Sequence, residues 1–236
     1  MNRRKFIRIF GLGTGAIVLT TGITGYGHLI SSFGSSDASD SYGWNGPTSN
    51  INDIRLQVLA YAILSPNPHN KQPWIIKLTG PKEFELYVDS ERLLPATDPY
   101  FRQIHIGQGT FLETASIAAS GFGHDAVITL FPQGTYSNTQ IVNKPVARVS
   151  LTANESVKTN PLFANLLSRH SNKREYNQQA LTQNQISELT RFNADNNHNS
   201  LTLVDSPAAK KQLEQVLTKA MQIEVGNKAR DEETIK

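Results

Sequence analysis

Three prolines fall within the ten residues Ser65-Pro66-Asn67-Pro68-His69-Asn70-Lys71-Gln72-Pro73-Trp74. Each fixes φ and removes an amide donor, so the segment is excluded from a helix interior and from a central strand. It reads as a stiff loop. Asn70 and Gln72 alternate along it, and each carboxamide carries both a donor and an acceptor. Such a face suits the edge of a heteroaromatic ligand. The plainer alternative is a Pro-rich connector, since turns favour Pro and Asn for local reasons. Trp74-Ile75-Ile76-Lys77-Leu78 follows as an apolar strand. A helix before the loop and a strand after it mount it on rigid elements, as binding loops are usually mounted.

The elements around the loop follow from local signals. Asn52 or Asp53 caps a helix to about Leu64, with Ile54, Val58, Tyr61 and Ala62 on one face. Phe84 to Val88 alternates and pairs with Trp74 to Leu78 around Gly80-Pro81. Asp98-Pro99-Tyr100-Phe101-Arg102 opens a long helix to about Gly121. Its apolar positions include Ile104, Ile106, Phe111, Leu112, Ala115 and Ile117, and its small residues Gly107, Gly109 and Ala115 admit a close neighbour. Val127 to Phe131 and Val146 to Leu151 read as strands. Asn160-Pro161 starts a short helix to Leu167. Thr182 caps a helix to Asn193, and Leu201 to Val204 reads as a strand. Ser206 and Pro207 make an N-cap and first-turn pair for a helix to about Val225, with Leu213, Val216, Leu217, Ala220 and Val225 on its inner side.

Composition narrows the function classes. The chain has 236 residues, 38% of them hydrophobic, and no cysteine, so disulfides, thiolate metal sites and a Cys nucleophile are excluded. Its net charge of +3 comes from Arg3, Arg4, Lys5 and Arg8; without them 19 basic residues face 20 acidic ones, which is no footprint for nucleic acid. The six histidines have no metal-ligand spacing. No Gly-x-Ser-x-Gly elbow and no phosphate-binding P-loop occurs, which leaves hydrolase and kinase readings without support.

Residues 1–30 pair a basic segment, Arg3-Arg4-Lys5-Phe6-Ile7-Arg8, with the apolar stretch from Ile9. This is the pattern of an export signal, and the paired arginines resemble the twin-arginine type. A membrane anchor over Ile9 to Ile30 stays open, and Gly11-Leu12-Gly13-Thr14-Gly15 mimics a dinucleotide turn without a strand before it. Residues 31–49 read as a flexible linker, with Tyr42-Gly43-Trp44 near its end.

Arg169-His170-Ser171-Asn172-Lys173-Arg174-Glu175-Tyr176 gathers three cations and short polar side chains. It reads equally as a phosphate cradle or as a solvated basic turn after a helix.

Taken together these stretches resemble the FMN-dependent nitroreductase family. Pro66 to Trp74 is similar to its Pro-Ser-x-x-Asn-x-Gln-Pro-Trp loop, with Asn67 where the pattern has Ser. The Asp98 to Gly123 segment, with Glu113 and Gly121-Phe122-Gly123, is similar to its central helix. Arg169, Ser171 and Arg174-Glu175-Tyr176 resemble its Arg-Arg-Ser-x-Arg-x-Phe motif with one extra residue, leaving Arg169 and Arg174 both as candidates for the phosphate. Behind a twin-arginine leader, the order of motifs resembles the exported, Acg-like branch, whose chains look like two fused nitroreductase halves. The similarity covers most of residues 42–236.

The resemblance implies an α+β fold, an antiparallel-rich sheet flanked by helices with a long central helix. It implies a first half over 50–151 and an incomplete second half over 152–236, since such chains usually continue further. FMN is the expected cofactor. Asn67, His69, Asn70 and Gln72 would lie at the ring or ribityl chain, and Arg169, Ser171, Lys173 and Arg174 near ribityl and phosphate. The flavin carries the chemistry, so no catalytic side chain is expected. The implied activity is electron transfer from a reduced small-molecule donor to a nitroaromatic or quinone-like acceptor. The alternatives are a flavin-binding protein without turnover and an inactive fragment. Expected partners are the twin-arginine export machinery and a second copy, since exposed sheet edges invite dimerisation. The expected location is periplasmic, or tethered on the outer side of the inner membrane.

Overall fold

The computed structural model describes residues 17–19, 45–47, 51–172, 174–177, 179–194 and 202–235. The export motif, residues 1–16 of the leader, Tyr42-Gly43-Trp44 and Lys173 lie outside them. Two compact units divide the chain: one of Met1–Ser171 with Glu233–Lys236, the other of Asn172–Glu232.

The first unit is a mixed α/β structure around four antiparallel strands: β2 (Trp74–Gly80), β3 (Glu83–Val88), β4 (His124–Leu130) and β5 (Ala147–Ala153). A three-residue strand β1 (Ile17–Leu19) joins β2 in parallel, giving the order β1-β2-β3-β5-β4. Helices α1 (Ile54–Ala62) and α2 (Arg102–Gly121) share one core with the sheet.

The register explains that core. Leu78, Phe84, Val149 and Ile128 are aligned partners across four strands, and Ile76, Leu86 and Ala147 form the adjacent row. Side chains alternate faces along a strand, so these rows point the same way. Phe111, Ala115, Ala118 and Ala119 of α2, and Leu56, Val58, Leu59 and Ala62 of α1, pack in the same cluster. Ile106 is the exception in α2, at 67% exposed. It stands two residues from Ile104, about 200° round the helix from the buried stripe.

The opposite sheet face carries the aligned row Lys77, Glu85, Arg148 and Thr129. Glu85 accepts from Tyr87 Oη at 2.7 Å and from Arg148 Nη2 at 2.8 Å, and Lys77 Nζ lies 4.1 Å from the Tyr87 ring centre. Burial works to raise the Glu85 pKa, but the bonds from Tyr87 and Arg148 and the charges of Arg148 and Lys77 outweigh it and hold the carboxyl below its ordinary value. The Tyr87 hydroxyl is pushed up to about 12 by burial and by its bond to Glu85.

Helix starts follow the local signals. Asp53 caps α1 by accepting from Arg55 N at 2.9 Å. Asp98, buried, accepts from Arg102 N and Ile104 N, both at 2.9 Å, so it serves the first turn of α2 from four residues upstream. Asn160 caps a 3₁₀ turn over Pro161–Asn165, shorter than the helix expected to Leu167.

The second unit holds α3 (Gln183–Ala194), α4 (Pro207–Gly226) and most of α5 (Lys228–Ile235). Thr182 and Gln185 form a reciprocal capping box, Thr182 N donating to Gln185 Oε1 at 2.8 Å and Gln185 N to Thr182 Oγ1 at 3.3 Å. Ser206 Oγ accepts from Ala209 N at 3.2 Å, with Pro207 in the first turn. Two expectations are corrected. Residues 202–204 form no strand, and no described strand pairs with them. The apolar side of α4 is not an inner side: Leu213, Val216 and Leu217 are exposed, Val216 at 67%. Helical spacing marks an apolar stripe; it does not supply the surface that buries it. No described helix is long and apolar enough to cross a membrane.

Candidate functional site

The loop between α1 and β2 is pinned from beneath and turned outward at its tip. Asn67 is extended, and a 3₁₀ turn over Pro68–Asn70 follows. His69, Asn70 and Gln72 then take φ values of 49°, 54° and 51°, the left-handed region. Three such non-glycine residues within four positions are uncommon, and surrounding contacts must hold them.

Helix α2 provides those contacts. Thr110 Oγ1 donates to Pro66 O at 2.5 Å, and Gln108 Nε2 donates to Pro73 O at 2.6 Å. Between them, a Cβ added at Gly107 would stand 3.0 Å from Pro68 Cδ, so the glycine lets the proline ring rest on the helix. Gly109 has nothing within 4 Å of such a Cβ, and its smallness serves no contact of this kind. From the sheet side, Asp89 N also donates to Pro73 O, at 3.1 Å. Within the loop, Asn67 Oδ1 accepts from Gln72 N at 2.7 Å and Asn67 Nδ2 donates to Ser65 O at 3.2 Å. Asn67 therefore uses its carboxamide to shape the loop. His69 and Asn70 are exposed, while Lys71 and Gln72 are half-buried.

Four buried polar atoms have no hydrogen-bond partner among the described residues: Ser65 Oγ, Gln72 Oε1, Trp74 Nε1 and Gln108 Oε1. Two belong to the loop, the third to Trp74 at the start of β2, and the fourth to the side chain that holds Pro73. An unsatisfied buried group costs about 1–3 kcal/mol, so these atoms call for water or a ligand as partner. Gln108 and Thr110 were not singled out from the sequence. A signal for Gln108 was present: it falls in the buried stripe with Ile104, Phe111 and Ala115, where a carboxamide is out of place.

Arg169 reaches the near end of the loop. Its Nη2 donates to Leu64 O at 3.0 Å, immediately before Ser65. The chain leading to it is held by an aromatic cluster: Phe163 lies 5.3 Å from Tyr61 and 5.9 Å from Phe122, ring centre to ring centre. A Cβ at Gly121 would stand 2.4 Å from the Phe163 ring, so that packing needs glycine. Ser171 is exposed and belongs to the same unit as the loop. Arg174 belongs to the second unit, where its N–H donates to Asn172 Oδ1 at 3.0 Å in a local turn. Thus Asn67, His69, Asn70, Gln72, Arg169 and Ser171 share a unit, and Arg169 bonds to Leu64 at the entry to the loop.

A further polar pair stands at the start of α2. His105 Nδ1 donates to Phe101 O at 2.6 Å, and its Nε2 is 2.7 Å from Tyr136 Oη. The carbonyl fixes the proton on Nδ1, so Nε2 of the neutral ring accepts from the tyrosine. Burial raises the Tyr136 pKa. Among the described residues, no group of three or more His, Asp or Glu is placed to hold a metal ion.

No family model matches the chain. Over 75 residues it is 32% identical to two proteins provisionally named NAD(P)H nitroreductases, from Mycobacterium tuberculosis strains CDC 1551 / Oshkosh and H37Rv. The likeness is to nitroreductases. The matched stretch is 32% of this chain and 22% of each relative, so the chain spans less than a quarter of the curated relatives it matches.

Proposed function

We propose that this chain binds FMN and acts as an oxidoreductase of nitroreductase type, passing electrons from a reduced small-molecule donor to a nitroaromatic or quinone-like acceptor. The observation that carries the reading is the pinned loop, with three left-handed residues and an unpartnered buried acceptor at Gln72. Orphaned polar atoms beside a rigid, outward-facing edge suit a flat ligand with its own donors and acceptors, so the residues fit a flavin ring. The distant likeness to proteins named NAD(P)H nitroreductases supports the same reaction class and suggests a nicotinamide donor.

Bound flavin would supply two-electron transfer at its ring nitrogen. In this reading Gln72, Asn70 and His69 would hold the polar edge of the ring. Asn67 keeps the loop in shape. Arg169, tied through one nitrogen to Leu64 O, offers its remaining donors to the ribityl chain or phosphate. Ser171 remains a candidate for the same groups. A nitroreductase-like fold, export through the twin-arginine route and a periplasmic or tethered location belong to the same proposal.

The test is a visible spectrum of the purified full chain, before and after acid release of ligand and after addition of FMN, followed by NAD(P)H oxidation with a nitroaromatic acceptor. A flavin spectrum near one per chain, lost in Gln72→Ala, and acceptor-dependent turnover are expected. A colourless protein that takes up no FMN overturns the reading. Bound flavin without turnover overturns the enzyme and leaves a flavin-binding protein.

A further inference from the structure

A carboxylate of the chain's own occupies a set of converging donors at Ala96 and Thr97. Glu233 Oε2 accepts from Thr97 N at 2.8 Å and from Thr97 Oγ1 at 2.7 Å, while Oε1 accepts from Ala96 N at 3.3 Å. All three residues belong to the first unit and are half-buried. Two successive backbone N–H groups aimed at the two oxygens of one carboxylate make an anion-binding concavity, and a hydroxyl beside them completes it. Burial works to raise the Glu233 pKa, but the bonds from Thr97 and Ala96 and the charge of Lys71 outweigh it, so the occupant is an anion. Lys71 is a residue of the α1–β2 loop, and its carbonyl accepts from Arg92 Nη1 at 3.4 Å. The donor set is thus tied to the loop through the short segment leading from Arg92 to Thr97.

We propose that Ala96 and Thr97 form an oxyanion-binding site, which takes the phosphate or carboxylate of a small ligand in exchange for Glu233. The donors belong to one dipeptide, fixed in place because the Asp98 carboxylate next to it is committed to the first turn of α2. The occupant comes from 136 residues away in the chain. A carboxylate and a phosphate oxygen present the same charge-assisted acceptor to such donors. The inference is independent of the flavin reading: it concerns a separate group of donors and needs no flavin to be tested.

The experiment is calorimetric titration of inorganic phosphate, and separately of acetate, into the full chain as wild type, Glu233→Ala and Glu233→Ala with Thr97→Val. Removing the internal competitor is expected to tighten one of the two anions by about tenfold, the equivalent of one charge-assisted bond set. Thr97→Val in that background is expected to reverse most of the gain, which places the ion at the dipeptide. Tighter phosphate points to a phosphate monoester ligand, and tighter acetate to a carboxylate. A folded Glu233→Ala chain that binds neither anion better than wild type overturns the site and leaves Glu233 as a tether, as does a gain that Thr97→Val does not touch. Glu233→Gln, which keeps an acceptor oxygen and removes the charge, decides the matter if the alanine variant fails to fold: a gain over wild type supports the site, and equal affinity overturns it.

Discussion

At Gln72 the backbone sits at φ 51°, a region in which a β-carbon crowds the following carbonyl. Gln72→Ala and Gln72→Gly remove the same side chain but differ in that crowding. The glycine variant should be more stable than the alanine variant by about 1 kcal/mol in urea unfolding, since relief of the left-handed strain exceeds the added freedom of the unfolded chain. Both should lose FMN uptake equally if the side chain is what the flavin meets. At Glu85 the charge is what matters. Glu85→Gln should cost about 1–2 kcal/mol at neutral pH, less than a fully buried pair because Arg148 is partly exposed. The folded-state pKa is lowered, so the contribution of the ionised form is present above the unfolded value of about 4.3 and is lost as pH falls through the folded value. The stability gap between wild type and Glu85→Gln should therefore hold at neutral pH and close in acid, as read by urea titrations across that range.

Among the elements, α2 does most to set the site, and one carboxylate opens it. Asp98→Ala removes acceptors from both Arg102 N and Ile104 N. A loss of about 1–2 kcal/mol is expected by thermal or urea unfolding. The Asp98-Pro99 pair marked this start in the sequence, as Ser206-Pro207 and Thr182 marked theirs and Asn52 or Asp53 that of α1, because capping is decided within a few residues. The sheet was legible for the same reason: alternation along Phe84 to Val88 states which face is apolar. What escaped is what depends on distant partners. Leu201 to Val204 has the composition of a strand, and its described residues, 202–204, pair with no described strand. Gln108 reads as one polar residue on a helix until Pro73, 35 positions earlier, is seen accepting from it. The loop was visible as stiff from its prolines, but its left-handed residues were not: Asn and His only favour that region, and Gln72, held there by the Asn67 carboxamide, carries no such preference.

In the whole molecule the two units differ in what holds them. The first has a contiguous apolar core beneath its sheet; the second has no buried residue among those described. Backbone amides of α4 should exchange with solvent far faster than those of α2, whose opening should approach the global unfolding free energy. Hydrogen exchange followed by mass spectrometry of peptides from 207–226 and 102–121 checks this; equal protection would mean that α4 is covered in solution. Local periodicity foretold both helices and could not foretell this difference, because burial is a property of the assembled chain.

The contact of Gly121 with the Phe163 ring also constrains history. Any side chain at 121 meets the ring at once, whereas a smaller residue at 163 leaves room for one. A methyl group at 121 thus asks the Phe163 ring to turn aside, and a history in which position 163 shrinks first meets less resistance than the reverse.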